Sequence, residues 1–588
     1  MSNGQQNWYF TAETNANGLT YIKAYQTKWD PVRKITRRSA KRYVGRLYDD
    51  GRVKPSEGFL KAFPQYAGIP LYFSADKRLV DEATYKGDFP DSLGPKANPE
   101  DVERDDMLHI GVTWAAETLA ESSGLYGSLA DVFGREDARD LLHLAIYKLD
   151  TSSSMAAYRE WNCGVYLKHT KPLGDQRISE LLDKVDEKRF EDFFQRRHVA
   201  KLQNTKGTHL TYALDNTSIS TYSETIPVAK YGHAKRDPDL KQINYTFVCD
   251  QADGEIVFAH AYEGSVNDVT ALKTILYRMQ AAKLELDNVV LVHDRGYSSL
   301  LNVQKLINQE IKFVQGVRLV EGAIRDKFDA YSESLRNVAF YDAECGVYAR
   351  TYEEPWKQDT DSGQVTQKVF VHLYRYPGED EAAMADIVRK VEEVLKAKKE
   401  RRSVSPELWS ACRPFLKEHQ DAAGKTAWLR DDDAISKTVR YEGRFVIRSN
   451  VEPNPFAALK TYRMRDVVEQ DFNQFKNWVD GARIFNQFKN WVDGARMRCT
   501  GKTYLGRLLV CTIAASLRLM MLQRAKRNAA GSDVKIPKNS LDVLMTILRK
   551  IRAERRRDGN AWVVRTLTKK QRDMLALLGL ANPPRTLR

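Results

Sequence analysis

The sequence has few of the features that mark secreted, zinc-binding or membrane-spanning proteins. Its 588 residues contain only six cysteines, none in a CxxC pair, which argues against a zinc site and favours free thiols in a reducing compartment. The polar start, Met1 to Asn7, is unlike a signal peptide. The longest apolar stretch, Leu508 to Leu517, is too short to cross a bilayer. We therefore expect a cytoplasmic protein with no membrane partner.

Positive charge is concentrated at the two ends of the chain. The formal net charge is +14 and the pI is about 9.2. Between Lys23 and Lys54 there are 11 Lys/Arg against 3 Asp/Glu, and between Lys535 and Arg588 there are 14 against 4. Clustered cations favour polyanions, because binding releases counterions from the phosphate backbone. Either segment alone could be an ordinary solvated surface, but two basic ends around a balanced middle favour DNA as the partner.

Changes in composition and periodicity divide the chain into six parts. They are a basic N-terminal region with short strands and a linker (1–100), a helical region (101–203), the first part of an α/β core (204–336), a β-rich insertion (337–450), a helical second part of the core (451–530) and a basic C-terminal tail (531–588). Apolar spacing predicts helices at 107–123, 129–149 and 178–202. Arginines of the tail, at 549–557, are expected on a further helix and are candidates for phosphate contact.

The core is predicted to alternate strands and helices. Strands are expected at 209–215, 245–250, 256–262, 289–292 and 313–317, and helices at 267–280 and 298–308. The insertion adds strands near 338–352, 368–376 and 444–447 and a charged helix at 379–401. This order predicts a mixed α/β fold.

Two acids, Asp215 and Asp294, stand at the ends of predicted strands. Open α/β sheets place their chemistry in the loops that follow strand ends. Carboxylates there can hold divalent metals, and two metals about 3.5–4 Å apart can activate water and stabilise the leaving oxygen of a phosphodiester. An Asp at a strand end is also a common turn or cap residue, so the two acids alone do not decide between these roles.

A long helix predicted from Pro455 supplies a third acid. Arg465, Glu469 and Lys476 follow Tyr462 by three, seven and fourteen residues, offsets that fall within roughly a 60° stripe of a straight helix. The carboxylate can complete a metal site, while the cations can hold phosphates. The alternative is a solvent-facing polar stripe with an Arg465–Glu469 pair.

These residues resemble a known family. Tyr462-x2-Arg465-x3-Glu469-x6-Lys476 is similar to the Y-R-E-K signature of bacterial insertion-sequence transposases of the "IS-four" type. ALDNTS around Asp215 and VLVHDRGYSS around Asp294 resemble that family's first two catalytic segments. The basic N-terminal segment and the C-terminal LTKKQRDMLALLG resemble those of one subgroup, so the resemblance covers most of the chain.

The resemblance implies a ribonuclease-H-like catalytic domain with a β-rich insertion between the second Asp and the Glu. Asp215, Asp294 and Glu469 would bind two Mg²⁺ ions, for which Mn²⁺ can substitute. Water would cut the phosphodiester at the element's terminal inverted repeats, and the freed 3′-hydroxyl would attack target DNA. Tyr462, Arg465 and Lys476 would position the DNA. The partners would be double-stranded DNA and a second copy of the chain, in a cytoplasmic, nucleoid-associated homodimer.

Other basic residues are candidates for DNA contact. Arg295 follows the second acid and either contacts DNA or braces Asp294. In the N-terminal region the candidates are Arg37, Arg38, Lys41 and Arg42, and this basic segment either contacts phosphates or docks another protomer. The helical region 101–203 is expected to carry part of the recognition of DNA ends, although it shows no clear helix-turn-helix.

One feature departs from the family pattern. FNQFKNWVDGAR occurs at Phe472–Arg483 and again at Phe485–Arg496, a period of 13 residues with two copies, which is too few for a solenoid. Lys476 keeps the signature spacing to Glu469, and Lys489 in the second copy is its competitor. Our hypothesis is that the duplication weakens or abolishes activity while leaving the metal site able to form.

Three functions are therefore compared. The first is an active transposase, and the second is a catalytically impaired, transposase-derived DNA-binding protein or repressor. The third is a structure-specific nuclease of the same fold that lacks strand transfer. Retention of all three acids favours an enzyme over a pure binder, and two basic ends favour recognition of a defined DNA end.

Overall fold

The chain divides into two units, Met1–Glu103 and Arg104–Arg588. The computed structural model describes residues 8–15, 19–30, 35–48, 51–74, 77–82, 107–151, 153–168, 173–204, 209–232, 239–360, 363–420, 426–473, 496–497, 499–555 and 561–587. The side chains of a few further residues inside strands and helices, among them Arg37 and 466–473, lie outside this description.

The first unit is built on a twisted antiparallel sheet. Its strands are β1 (Trp8–Thr14), β2 (Thr20–Asp30), β3 (Ile35–Arg38), β4 (Arg42–Leu47), β5 (Arg52–Pro55), β6 (Leu71–Phe73) and β7 (Leu79–Asp81), in the order β1-β2-β4-β5-β6-β7 with β3 paired to β2. Helix α1 (Glu57–Ala62) is capped by the Ser56 side chain. Its Phe59 packs with Phe10, Ile22 and Val44 in a small core of this unit.

The second unit begins with one strand, which the sequence did not predict, and continues with a series of helices. Met107–His109 is strand β8, followed by α2 (Gly111–Ser122), α3 (Leu125–Phe133), α4 (Arg135–Asp150), α5 (Tyr158–Cys163), α6 (Asp175–Asp183) and α7 (Glu187–Asn204). The helix predicted at 129–149 is two helices, because Gly134 has a φ of 80° that ends the first. The helix predicted at 107–123 starts too early, because Met107–His109 pairs with a strand more than 440 residues away.

A mixed sheet of strands β9–β16, β19 and β20 forms the centre of this unit. Its strands are β9 (Leu210–Thr221), β10 (Lys241–Asp250), β11 (Ile256–Glu263), β12 (Val289–His293), β13 (Lys312–Val317), β14 (Tyr341–Asp342), β15 (Val347–Thr360), β16 (Gly363–Arg375), β19 (Arg444–Ser449) and β20 (Arg496–Met497). The order is β11-β10-β9-β12-β13-β19-β16-β15-β14, with β20 paired to β9. Strands β9, β12 and β13 are mutually parallel, whereas β10 and β11 run antiparallel to their neighbours. The predicted mixed α/β class is confirmed.

The segment predicted as an insertion is continuous with the sheet. Strand β19 pairs with β13, and the long β15–β16 hairpin extends the sheet from β19. Buried Arg448 joins the two parts through hydrogen bonds to Glu321 at 2.7 and 3.1 Å and to Glu354 at 3.2 and 3.3 Å. The remaining elements are α10 (Gly322–Ala330), α11 (Glu379–Lys399), α12 (Pro406–Cys412), β17 (Leu416–Gln420), β18 (Thr426–Arg430) and α13 (Asp432–Val439).

Helices cover both faces of the sheet. On one side lie α8 (Asp268–Ala281), α9 (Leu300–Asn308) and α15 (Tyr504–Ala530), which share one large core with α2–α7. On the other side lies α14 (Pro455–Asn473), whose Leu459 packs with Val290, Val292 and Val314. Among the described residues, α15 is the one helix with the length and apolarity of a membrane span, but its apolar window is 89% buried by the protein. It is the central core helix.

The C-terminal segment completes the core of the second unit. It contains α16 (Leu541–Leu548), β21 (Arg552–Arg555), β22 (Trp562–Val564), α17 (Lys569–Leu577) and β23 (Thr586–Leu587). The helix predicted over 549–557 is wrong, since Arg552–Arg555 is a strand paired with β8. Arg549, a candidate for phosphate contact, instead holds Asp150 through its Nε at 2.6 Å.

Candidate active site

The register of the central sheet brings Asp215 and Asp294 to adjacent positions. Strands β9 and β12 run parallel with Leu214 opposite His293, so the residue after each, Asp215 and Asp294, follows at the same edge. Neighbouring strands lie about 4.8 Å apart. Both acids are partly exposed. The sequence-based expectation that these two acids lie together in the fold therefore agrees with the sheet register.

Asp215 does not end its strand, contrary to prediction. Strand β9 continues through Thr221, while its parallel partner β12 stops at His293. Asp215 thus lies at the point where β9 loses its parallel neighbour, and it remains paired with Phe247 of β10 on the other side. The predicted strand end is therefore correct for Asp294, which follows β12. For Asp215 it is wrong, because only the pairing of β9 with β12 ends there and β9 itself continues.

Both acids belong to the face of the sheet that α14 covers. Side chains alternate between the faces of a strand. Leu214 and Leu291 pack in the large core on one face, whereas Val290 and Val292 pack against α14 on the other. Asp294, two residues beyond Val292, shares this second face. Since Val292 lies opposite Ala213, Asp215 shares it as well.

Two hydrogen bonds and one ion pair meet on one oxygen of Asp294. Its Oδ1 accepts the backbone N–H of Arg295 at 2.6 Å, which caps a short 3-10 turn over Arg295–Tyr297. Tyr462 of α14 donates its hydroxyl to the same oxygen at 3.2 Å, and a guanidinium nitrogen of Arg465 lies 3.9 Å away. Asp294 thereby joins the sheet to α14.

Tyr462 and Arg465 form one unit on α14. The Arg465 guanidinium carbon lies 5.0 Å from the centre of the Tyr462 ring, a cation–π geometry. Arg465 is only 8% exposed, so little water screens the attraction between its charge and Asp294. Tyr462 and Arg465 therefore both lie beside Asp294, whereas their role in DNA contact stays a prediction.

Gly316 on β13 lets the Tyr462 ring approach the sheet. A Cβ at this position would lie 2.4 Å from the Tyr462 hydroxyl oxygen and 3.0 Å from the Arg295 backbone nitrogen. Side-chain atoms do not approach this closely, so any larger residue here must displace the tyrosine. No local pattern predicts this requirement, because the need for glycine arises from Tyr462, which follows 146 positions later.

Arg318 is a second residue that the sequence analysis missed. It lies just beyond β13 and donates from Nε to the Arg295 carbonyl and from Nη2 to the Gly296 carbonyl, both at 3.1 Å. These bonds hold the turn that Asp294 caps by accepting the Arg295 N–H. The rule that strand ends carry chemistry applied to β13 as well and could have identified Arg318.

The structure describes the backbone of Glu469, whereas Lys476 lies outside the described residues. Glu469 belongs to α14, seven residues after Tyr462, which is about two helical turns and hence nearly the same face. Its side chain lies outside the described residues, as do Lys476 and the duplicated segment over 474–495. Among the described side chains, no group of three or more His, Cys, Asp or Glu is placed to hold a metal.

The other candidates for DNA contact are spread over both units. Arg295 is exposed beside Asp294. Arg38, Lys41 and Arg42 are exposed in the first unit, and the side chain of Arg37 lies outside the described residues.

His293 is buried on the opposite face from the two acids. It is 0% exposed and packs edge-on against the Tyr297 ring, with centroids 5.8 Å apart. Among the described residues its ring nitrogens have no hydrogen-bond partner. Burial lowers the pKa of His293 to about 4, so the ring is neutral at pH 7. Its burial and its contact with Tyr297 indicate a packing role for His293.

The buried His293 predicts a stability that declines in mild acid. The unfolded chain takes up a proton near pH 6.5, whereas the native ring resists it down to about pH 4. Stability is therefore full above pH 6.5 and falls as the pH drops toward 4, with a slope of up to about 1.4 kcal/mol per pH unit. Urea unfolding of His293→Leu at several pH values is expected to show a flatter decline than the unchanged protein. The same change at exposed His419 should not flatten it, and equal slopes for all three proteins would contradict the prediction.

Comparison with known proteins gives one family match. Residues 206–484 match the family model described as "Transposase DDE domain". No curated protein matches the sequence. Among solved structures the chain is similar to a piggyBac transposase in a synaptic complex with hairpin DNA, with 10% sequence identity, coverage of 80% of this chain and 82% of that chain, and a TM-score of 0.31. That likeness is too distant to assign a function.

Proposed function

We propose, from the premise that residues 206–484 are a transposase DDE domain, that this chain cuts and joins DNA at the ends of a bacterial insertion sequence. The proposal names Asp215, Asp294 and Glu469 as the catalytic carboxylates. It assigns the chain to the "IS-four" type and its core to the ribonuclease-H-like folds. The strand order β11-β10-β9-β12-β13, three antiparallel strands followed by two parallel ones, supports this fold.

The observation that carries the proposal is the pairing of two carboxylates under one helix. Asp215 and Asp294 follow adjacent positions of parallel strands, and α14, which contacts Asp294 through Tyr462, continues through Glu469. Two carboxylates on one face suit Mg²⁺ or Mn²⁺, which prefer oxygen ligands. When bound, a pair of such ions supplies an activated water and charge stabilisation at the leaving oxygen.

The residues of the chain have separate tasks in this mechanism. Arg295 N–H and the Tyr462 hydroxyl both bind Oδ1 of Asp294, which fixes the carboxylate and orients Oδ2 for metal binding. Arg465, held against the Tyr462 ring, places a positive charge next to the site and can neutralise a phosphate there. Arg318 keeps the supporting turn in place.

The DNA partner follows from the same premise. We propose that the substrate is double-stranded DNA carrying the element's terminal inverted repeats, that the product is joined to target DNA, and that a homodimer pairs two ends. Arg295, Arg465 and Lys476 would contact phosphates near the cut. The protein would act in the cytoplasm, at the nucleoid.

The decisive experiment is cleavage of a linear DNA that carries the ends of the encoding element. With Mg²⁺, the unchanged protein is expected to produce cut ends and then strands joined to a target, whereas Glu469→Ala should produce neither. Glu442→Ala, an exposed acid in a turn, is the control and should behave like the unchanged chain. Cut ends without joined strands would indicate a nuclease, and binding without cutting would indicate a repressor.

A smaller substitution tests whether cleavage depends on the contact between Tyr462 and Asp294. Gly316→Ala should push Tyr462 off Asp294, because the added carbon would lie 2.4 Å from the tyrosine oxygen. A displacement of about 1 Å at a catalytic site costs up to roughly a hundredfold in rate, so we expect cleavage to fall by about 10- to 100-fold. Gly322→Ala is the matched control, since nothing lies within 4 Å of a Cβ there. Equal cleavage by the two variants would show that the tyrosine contact is dispensable.

A further inference from the structure

The sheet of the first unit has two unlike faces. One face is apolar, and its Phe10, Ile22 and Val44 pack with Phe59 of α1. Since side chains alternate along a strand, the neighbours of these residues form the other face. Tyr9 and Tyr43 on that face are 46% and 48% exposed. Among the described residues of this unit, no helix covers this face, and a sheet face of such composition points to a partner.

The strand register arranges the open face in rows. One row crosses four strands and another crosses three, because residues paired in an antiparallel sheet lie side by side. The first row is Glu13, Tyr21, Arg46 and Lys54, and the second is Thr11, Lys23 and Tyr43. A third pairs Tyr9 with Tyr25, whose rings stack at 5.8 Å. Aromatic and basic side chains therefore alternate across the surface.

Positive charge dominates this face. The described cations of this face include Lys23, Arg38, Lys41, Arg46, Arg52 and Lys54. Glu13 lies among them, and both Lys23 and Lys41 donate hydrogen bonds to its carboxylate. These bonds lower the pKa of Glu13 to about 2, so it stays ionised and offsets one cation. The surplus of positive charge suits a polyanion.

Two arginines of the face are held by tyrosines. The guanidinium carbon of Arg38 lies 5.1 Å from the Tyr25 ring centre, and that of Arg46 lies 4.9 Å from the Tyr48 ring centre. Stacking on a ring restrains the long side chain while leaving its N–H groups available for phosphate oxygens. Arg42 differs, because it stacks over Trp8, which shares the α1 side of the sheet with Phe10.

We infer that this tyrosine and arginine face binds double-stranded DNA, with Arg38, Arg46 and Lys54 on the phosphates and the tyrosines between them. Strands of β-sheets are known to contact DNA grooves, and two neighbouring strands of this face would fit the roughly 12 Å width of the major groove. The inference rests on the proposed function for its choice of DNA as the polyanion. It assigns a DNA-binding role to Lys54, Arg46 and the tyrosines, and it gives Arg42 no part in it.

The test measures binding by the full chain in the absence of divalent metal. A short fluorescein-labelled duplex and the matching single strand are titrated with protein over a series of salt concentrations. The unchanged chain is expected to prefer the duplex. Replacing both Arg38→Gln and Arg46→Gln should weaken duplex binding roughly tenfold and lower the slope of log K against log salt by about 1.8, or 0.9 per lost phosphate contact. Tyr43→Ser should weaken binding with little change of slope.

The control is Lys61→Gln, which removes a positive charge from α1, the helix that covers the opposite face. It should bind DNA like the unchanged chain, and equal melting temperatures for all variants show that folding is intact. If the double variant binds and cuts DNA normally, the inference is overturned and the proposed function stands. If binding depends on this face but no Mg²⁺-dependent cleavage occurs, the proposed function fails and the inference stands. Preference for the single strand would overturn the duplex assignment.

Discussion

Asp294→Asn is expected to leave the protein folded while reducing DNA cleavage by at least about a thousandfold, the scale of losing a principal metal ligand. The amide oxygen of Asn can still accept from Arg295 N–H and from the Tyr462 hydroxyl, the two hydrogen bonds that fix this position. What is lost is the anionic oxygen. We expect the melting temperature and the affinity for DNA to stay close to those of the unchanged protein, and cleavage and calorimetric Mn²⁺ binding to fail together.

The control for this prediction is Asp326→Asn. Asp326 is exposed on α10, and the same chemical change there should alter neither cleavage nor metal binding. Cleavage by Asp294→Asn at a rate near that of the control would remove Asp294 from the catalytic set, and with it the claim that the sheet register defines the active site.

Removing one copy of the repeated segment is expected to raise cleavage by about tenfold or more. Thirteen extra residues turn a continuous helix by 1300°, which leaves roughly 220° beyond whole turns. The two copies therefore cannot present Lys476 and Lys489 on the same face of one helix. Because the repeats are identical, deletion of Ile484–Arg496 yields the same protein as deletion of Phe472–Ile484. The experiment thus restores a single copy, whichever one the full chain uses.

The deletion also preserves the strand that follows the repeat. Arg496–Met497 pairs with Ser220–Thr221 at the far end of the strand that carries Asp215. After deletion, Arg483 stands directly before Met497, so an identical dipeptide is available for this pairing. Lys476→Ala and Lys489→Ala in the full chain identify the copy in use, since only one should reduce cleavage. A shortened chain no more active than the full one would contradict the hypothesis that the duplication weakens activity.

The sequence predicted those elements whose signals are local. The apolar run at Val289–His293 and the helical spacing in Asp268–Ala281 correspond to a strand and a helix in the structure. Met107–His109 could not be found in this way, because three residues show no periodicity and their partner strand is Arg552–Arg555. The helix predicted over 549–557 is wrong for the same reason. Arg552–Arg555 forms a strand because it pairs with a segment far away in the sequence, and such pairing overrides local preference.

The candidate site, too, could be predicted only where the signal is local. Asp215 and Asp294 could be named from motif and strand position, and Tyr462 and Arg465 from helical spacing. The register that makes the two acids neighbours depends on how β9 pairs with β12, which no local pattern encodes. Gly316 and Arg318 matter only because of atoms that the fold brings to them. The position of Glu469 relative to the other two acids stays a prediction.

The pairing of β8 with β21 has a consequence for biosynthesis. The first strand of the second unit, Met107–His109, finds its partner only when Arg552–Arg555 has been made. The ribosome must therefore have produced almost the entire chain before this small sheet can close, and such long-range pairing is slow to form. Products of termination between residues 470 and 551 would keep all three proposed catalytic carboxylates and still lack this closure. They are expected to be cleared by proteases instead of accumulating.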